Sequence, residues 1–98
     1  MFTGIIEAIG NLSQINTEGS NTHFYFSSPL TAELKVDQSL AHDGVCLTVV
    51  EVNSEGYRVT AIAETLQKTN LSTWQVGKKV NLERCMSANG RFDGHIVQ

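Results

Sequence analysis

"HDGVCLTVVEVNSEGYRVTAIAE", residues 42–64, holds two runs of alternating apolar and polar residues hinged on a polar loop. Successive strand side chains point to opposite faces, so Val45, Leu47 and Val49 mark one face of the first run. Cys46 and Thr48 mark the other. "NSEG", 53–56, reads as a hairpin loop in which Gly56 can take a positive φ. "YRVTAIAE", 57–64, pairs back with Tyr57, Val59, Ala61 and Ala63 on one side. Asp43-Gly44 ahead of the pair supplies a tight turn.

Outward from this hairpin the same grammar continues. Glycine and polar clusters punctuate the chain every 8–15 residues or so, and the apolar runs between them are short and rich in β-branched and aromatic residues. A first strand is expected from Thr3 to about Ile15, with Gly4 and Gly10 inside it as signs of a bend, a bulge or a close backbone approach. A second, "THFYFSS" at 22–28, alternates Phe24 and Phe26 against His23 and Tyr25, and Pro29 ends it. "LTAELKV" suits one or two helical turns. "VDQSLAH", 36–42, is the third strand. "ETLQKTNLSTW", 64–74, breaks the alternation and predicts one short helix, and "VGKKVNLERCM", 76–86, predicts a turn and the sixth strand. The fold class expected is all-β: a six-stranded antiparallel Greek-key barrel with one or two short helices, whose closure removes exposed edges.

The chain has 98 residues, 41% hydrophobic and 17% charged, with a net charge of −3. That is one ordinary globular domain rather than a disordered chain. Its seven basic residues are scattered, so a phosphate-tracking surface is not expected and no nucleic acid partner is assigned. No signal peptide or membrane-spanning run is read, so no membrane partner is assigned and the expected location is cytoplasmic. The tail "SANGRFDGHIVQ" ends on Ile96 and Val97 and reads as a lead into more chain. No metal is expected: four residues of strand separate His42 from Cys46 by roughly 13 Å, and no zinc-type spacing occurs. Nucleophile elbows and phosphate loops are also missing from the sequence.

Two places remain that could carry chemistry, and each has a plain alternative. Cys46 and Thr48 share a strand face, either as ordinary packing residues or as a shallow polar floor on which a planar ligand could lie. "AIAETL", 61–66, places small residues before a strand-to-helix junction. It is either a common helix start or a corner whose backbone N–H groups meet the edge of a heterocycle.

"MFTGII" at the start, "AHDGVCLTVVEV" at 41–52, "ETLQKTNL" at 64–71 and "VGKKVNLER" at 76–84 together resemble the riboflavin synthase family of the alpha-chain type, in particular its N-terminal lumazine-binding domain. The resemblance runs from Met1 to Gln98 and implies that residues 1–98 are one lumazine-binding barrel, the N-terminal half of a two-barrel chain whose second barrel is absent here. It implies a cofactor-free transferase that converts two molecules of 6,7-dimethyl-8-ribityllumazine to riboflavin and 5-amino-6-ribitylaminouracil, in riboflavin biosynthesis. The family works as a homotrimer with sites between barrels of neighbouring subunits. A single barrel would bind lumazine or riboflavin, catalyse weakly or not at all, and could pair as a homodimer. The substrate-contacting positions carried over are Gly4, Ile5, Ile6, Cys46, Leu47, Thr48, Thr60, Ala61, Ile62, Ala63, Glu64 and Thr65, with Cys46 as a candidate catalytic residue. The alternative reading is a non-catalytic lumazine- or flavin-binding protein of the lumazine-protein kind.

Overall fold

A computed structural model describes residues 2–85. Its strands are β1 (Ala8–Glu18), β2 (Asn21–Ser27), β3 (Ser39–His42), β4 (Val45–Asn53), β5 (Gly56–Ala61) and β6 (Lys79–Arg84). They close into a barrel in the order β1-β2-β5-β4-β3-β6, every neighbour antiparallel. Within that ring β6 lies beside β3, followed by β4 and β5. A fourth strand returning beside the first of three hairpin-linked strands is a Greek key. The expected fold class is borne out.

Alternation sorts the side chains. Leu12, Phe24, Phe26, Leu40, Leu47, Val49, Val59, Val80 and Leu82 point inward and are buried. Each such side chain contributes roughly 1.5–3 kcal/mol relative to exposure. Trp74 closes one end, its ring 5.6 Å from Phe24 and 6.2 Å from Phe26 in edge-on contacts. The doubled valine Val49–Val50 has a structural reason. The β4–β5 register shifts between Val49 and Glu51, so Val50 is a bulged extra residue that points outward and is exposed. Of the described residues, no helix is long and apolar enough to cross a membrane.

Several expected boundaries move. The first strand begins at Ala8, not Thr3, because residues 3–4 bond a side chain rather than a strand: the Thr3 and Gly4 amides donate to the Glu83 carboxylate. The third strand begins at Ser39. Before it, Asp37 adopts φ 75° and donates its N–H to the Val49 carbonyl at 2.7 Å. The fifth strand stops at Ala61, since Ile62 is already the residue that starts α1 (Ala63–Lys68). The single helix expected over 64–74 is two pieces, α1 and a 3-10 turn at Leu71–Thr73. Thr69 is extended between them and its hydroxyl donates to the Thr65 carbonyl at 2.7 Å. "LTAELKV" forms one 3-10 turn, Thr31–Glu33. The Asp43-Gly44 turn is as read, both residues having positive φ. Gly56 is not among the positive-φ residues; its role is close approach to another strand. The segment from Met86 to Gln98, with the tail reading, lies outside the described residues.

Candidate functional site

Paired residues in an antiparallel ladder share a face, so the strand registers assemble the outer surface strand by strand. Glu83 on β6 pairs with Ala41 on β3, and Ala41 pairs with Cys46 on β4. The β4–β5 ladder pairs Val49 with Val59. That ladder ends at Val49–Val59, and Ile62 follows Ala61, the last residue of β5, at the start of α1. Glu83, Ala41 and Cys46 thus form one row across three strands, about 10 Å wide from the usual strand spacing. Ala41 and Cys46 are small. Cys46 is exposed, and Ala41 is covered by what lies above it.

The covering element is the N-terminal segment. Glu83 accepts hydrogen bonds from the Thr3 amide, from the Thr3 hydroxyl at 2.8 Å and from the Gly4 amide at 2.9 Å. These donors, the Thr3 amide first, hold the Glu83 carboxyl below the usual carboxylate range against the opposing effect of burial. Gly4 takes φ +84°, and a Cβ added there would meet nothing within 4 Å; backbone conformation, not crowding, calls for glycine at this position. The strap leaves an open hollow of about 290 Å³ beside it, with Gly4, Ile6, Ala41, Gly44 and Glu83 in its lining. Ile5 and Ile6 stay exposed, at 69% and 49%. At the far side of the row stands the start of α1. Its first backbone hydrogen bond is Leu66 N–H to Ile62 C=O, so the amides of Ala63, Glu64 and Thr65 lie ahead of the helical ladder. Ile62 is 52% exposed.

A second row runs parallel, two residues along each strand. Ser39 pairs with Thr48, the continued β4–β5 register sets Thr48 beside Thr60, and Thr60 pairs with His23. Every member is a hydrogen-bonding residue. Thr60 Oγ1 is 2.8 Å from His23 Nδ1, and His23 Nε2 is 2.8 Å from Glu18 Oε1. Among the described residues the Ser39 and Thr48 side chains make no hydrogen bond. A small side chain at Cys46 and a row of hydrogen-bonding side chains therefore lie side by side on one face.

Of the three stretches singled out in the sequence, residues 4–6 belong to the strap bound to Glu83, Cys46 and Thr48 lie on the outer face of β4, and residues 60–65 run from β5 into the start of α1. Two of the named residues differ in kind. The Leu47 and Ala61 side chains are in the barrel core, so only their backbone could meet a ligand. Ala41, Ser39 and Glu83 adjoin these positions in the barrel wall and are not among those singled out in the sequence. Alternation along "NLER" puts Glu83 outward, but its partners Thr3 and Gly4 lie about 80 residues away in sequence and no local pattern points to them.

Replacing Glu83 by glutamine tests the strap. The amide NH₂ would face the Thr3 and Gly4 amides as a second donor. We expect Glu83→Gln to speed amide exchange at residues 3–6 while the exchange of β4 and β5 amides stays as in the parent. Unchanged exchange at residues 3–6 would refute the clamp.

A hollow of about 100 Å³ lined by Gln14, Tyr25, Glu51 and Arg58 is remote from these residues. It is bordered by the Arg58–Glu51 ion pair at 3.3 Å and has none of the features above.

A family model described as "Lumazine binding domain" matches residues 3–85. The riboflavin synthase of Photobacterium phosphoreum is 42% identical over 99 residues, covering 99% of this chain and 45% of that protein. That of Bacillus subtilis is 39% identical over 98 residues, with 99% and 46% covered. The chain therefore spans about half the length of the curated relatives it matches. Among solved structures, LumP complexed with 6,7-dimethyl-8-(1'-D-ribityl) lumazine superposes with a TM-score of 0.81 at 23% identity, covering 90% of this chain and 49% of that one. LumP complexed with riboflavin gives 0.80 at 23% identity, with 86% and 46% covered. At that identity the structural likeness speaks for the barrel alone.

Proposed function

This chain belongs to the lumazine-binding domain family, and from that premise we propose that it is the ligand-holding half of a riboflavin synthase. The reaction read for the whole enzyme converts two 6,7-dimethyl-8-ribityllumazine molecules to riboflavin and 5-amino-6-ribitylaminouracil. One observation carries the assignment: the small, exposed Cys46 lies beside the hydroxyl row Ser39–Thr48–Thr60 on one face. The fused ring lies on the first row between the strap and the start of α1. The amides at residues 63–65 meet the ring's carbonyl edge, and the ribityl chain runs along the second row. The backbone of Gly4–Ile6, Leu47 and Ala61–Ile62 adds shape, and the Cys46 thiol on the floor assists addition or proton transfer.

Joining two lumazines needs both held in near-attack geometry, which can supply several kcal/mol. One barrel holds one ring. The second must come from another barrel, either the second half of a longer parent chain or another copy of this one. Ile5, Ile6 and Ile62, all exposed, rim the face that such a barrel would cover. The homotrimer of the parent and a homodimer of this chain are both forms of that covering.

Titration with riboflavin, read by quenching of flavin fluorescence and accompanied by sedimentation, tests the reading. The chain should quench at micromolar flavin. Cys46→Trp, which fills the floor from an exposed position, should weaken binding by roughly tenfold or more without changing Tm appreciably. No quenching, or equal binding by the tryptophan variant, would overturn the site. Sedimentation of a monomer alone at high concentration would overturn self-pairing. Turnover of lumazine by the chain joined to a second barrel separates the enzyme from a lumazine protein that only holds its ligand.

A further inference from the structure

His23 is the odd member of the polar row. It projects from the outer face of β2, yet it is only 8% exposed, and both ring nitrogens are occupied. Nε2 is 2.8 Å from the Glu18 carboxylate and Nδ1 is 2.8 Å from the Thr60 hydroxyl. An ionised carboxylate can only accept, so in the neutral ring the proton is on Nε2 and points at Glu18. Nδ1 is then a lone pair, and among the described residues the donor facing it is the Thr60 O–H. Thr60 has one proton and has committed it to His23. What its oxygen offers the open face is acceptor capacity alone.

We propose that Glu18 and His23 are positioning residues that fix Thr60 as a hydrogen-bond acceptor toward a hydroxyl of the ligand's ribityl chain, an inference that rests on the flavin-binding reading above. The chain of bonds runs one way: ligand O–H to Thr60 oxygen, Thr60 O–H to His23 Nδ1, His23 Nε2–H to Glu18. Bonds aligned in one direction polarise one another and end on a full negative charge. Ser39 and Thr48, whose hydroxyls have no such commitment, can donate or accept and adapt to the rest of the chain. Thr60 therefore sets the direction of the polyol, and the ring-bearing end of the ligand does not feel it.

Glu18→Gln keeps size and removes the obligate acceptor, so the imidazole can place its proton on Nδ1 and turn Thr60 into a donor. The Glu18 side chain is 80% exposed, so the barrel should fold as before. The test compares riboflavin with lumiflavin, which has the same ring and no ribityl chain, in the parent, Glu18→Gln, Thr60→Val and the double variant. Expected is a roughly three- to tenfold loss of riboflavin affinity in Glu18→Gln, unchanged lumiflavin affinity, and no further loss when Glu18→Gln is added to Thr60→Val. In mildly alkaline buffer, ¹⁵N spectra should show the His23 ring protonated on Nε2 in the parent. Riboflavin binding that Glu18→Gln leaves unchanged, or weakens equally for lumiflavin, would overturn the relay and leave the functional reading standing. Failure of the parent to bind either flavin would overturn both.

Discussion

Gly56→Ala should prevent folding, or lower Tm by roughly 15 °C or more. A Cβ at Gly56 would sit 2.1 Å from the Phe26 carbonyl oxygen, 3.1 Å from its carbonyl carbon and 3.5 Å from the Ser27 Cα. All three are backbone atoms, so no side-chain rotation relieves the overlap. The neighbouring register pairs Phe26 with Tyr57, which places the clash inside the β2–β5 ladder. Opening it means drawing Phe26 away from His42, Tyr57 and Trp74, whose rings lie 4.8, 5.5 and 6.2 Å from its own. Disrupting a ladder and the centre of a core together costs at least about 3–4 kcal/mol, against a total near 5–15 kcal/mol. Each kcal/mol moves Tm by roughly 4–8 °C in a chain of this size. Glu55→Ala, one residue earlier in the exposed turn, should stay within about 0.5 kcal/mol of the parent. Thermal unfolding of the two variants followed by circular dichroism reads the contrast. A Gly56→Ala protein melting within a few degrees of the parent would show that the strands can part there at little cost.

That glycine also marks the limit of reading the sequence. Its presence after "NSE" signalled a hairpin, and a hairpin is there, but the turn takes its geometry from Asn53. The Asn53 side chain accepts the amides of Glu55 and Gly56 at 2.8 and 3.1 Å. What requires glycine is a carbonyl on β2, some 30 residues away. The strands themselves were legible because alternation is a local property: Phe24 and Phe26, or Leu47 and Val49, announce their faces within a few residues. Strand ends were less so, since Asp37 and Ile62 leave the ladder for reasons set by partners elsewhere. The site divides in the same way. Cys46, Thr48 and the residues at 60–65 could be singled out from pattern and resemblance. Their meeting on one face depends on the order β6-β3-β4-β5, which places Ala41 between Glu83 and Cys46. Neither the strap's anchor at Glu83 nor the Glu18–His23–Thr60 chain leaves a signal in the local sequence.

Acid should destabilise the barrel well above the pH at which its carboxylates titrate. The cause is His42, fully buried in the core and tilted against Phe26 with ring centres 4.8 Å apart. Nδ1 lies 3.0 Å from the Leu40 carbonyl and Nε2 lies 2.8 Å from the Tyr57 hydroxyl. A carbonyl only accepts, so Nδ1 holds the proton and Nε2 accepts from Tyr57. Burial likewise pushes the Tyr57 phenol well up, which keeps it a donor. The neutral ring is satisfied at both nitrogens and a second proton has no acceptor. Burial lowers the His42 pKa from 6.5 to about 4, opposed by the Leu40 carbonyl and the nearby Asp43. In the unfolded chain this histidine takes up its proton as pH falls through about 6.5, whereas the folded one resists until about 4. Between those values the unfolded state binds more protons, so unfolding becomes easier as pH falls, and above them the histidine adds no slope. The loss across the window is about 3 kcal/mol. Glu7, held low chiefly by its hydrogen bond from the Arg84 side chain, and Glu83 add their own acid sensitivity around and below the ordinary carboxylate value of 4.5, so the upper part of the window lies clear of these two carboxylates, and the comparison with His42→Gln singles out this histidine. Urea unfolding across this range should show the parent losing stability steadily below pH 6.5. His42→Gln, weaker at neutral pH because it repacks the core around Tyr57, should show a flatter profile there. If the two profiles run parallel, the proton that weakens the barrel is taken up somewhere other than His42.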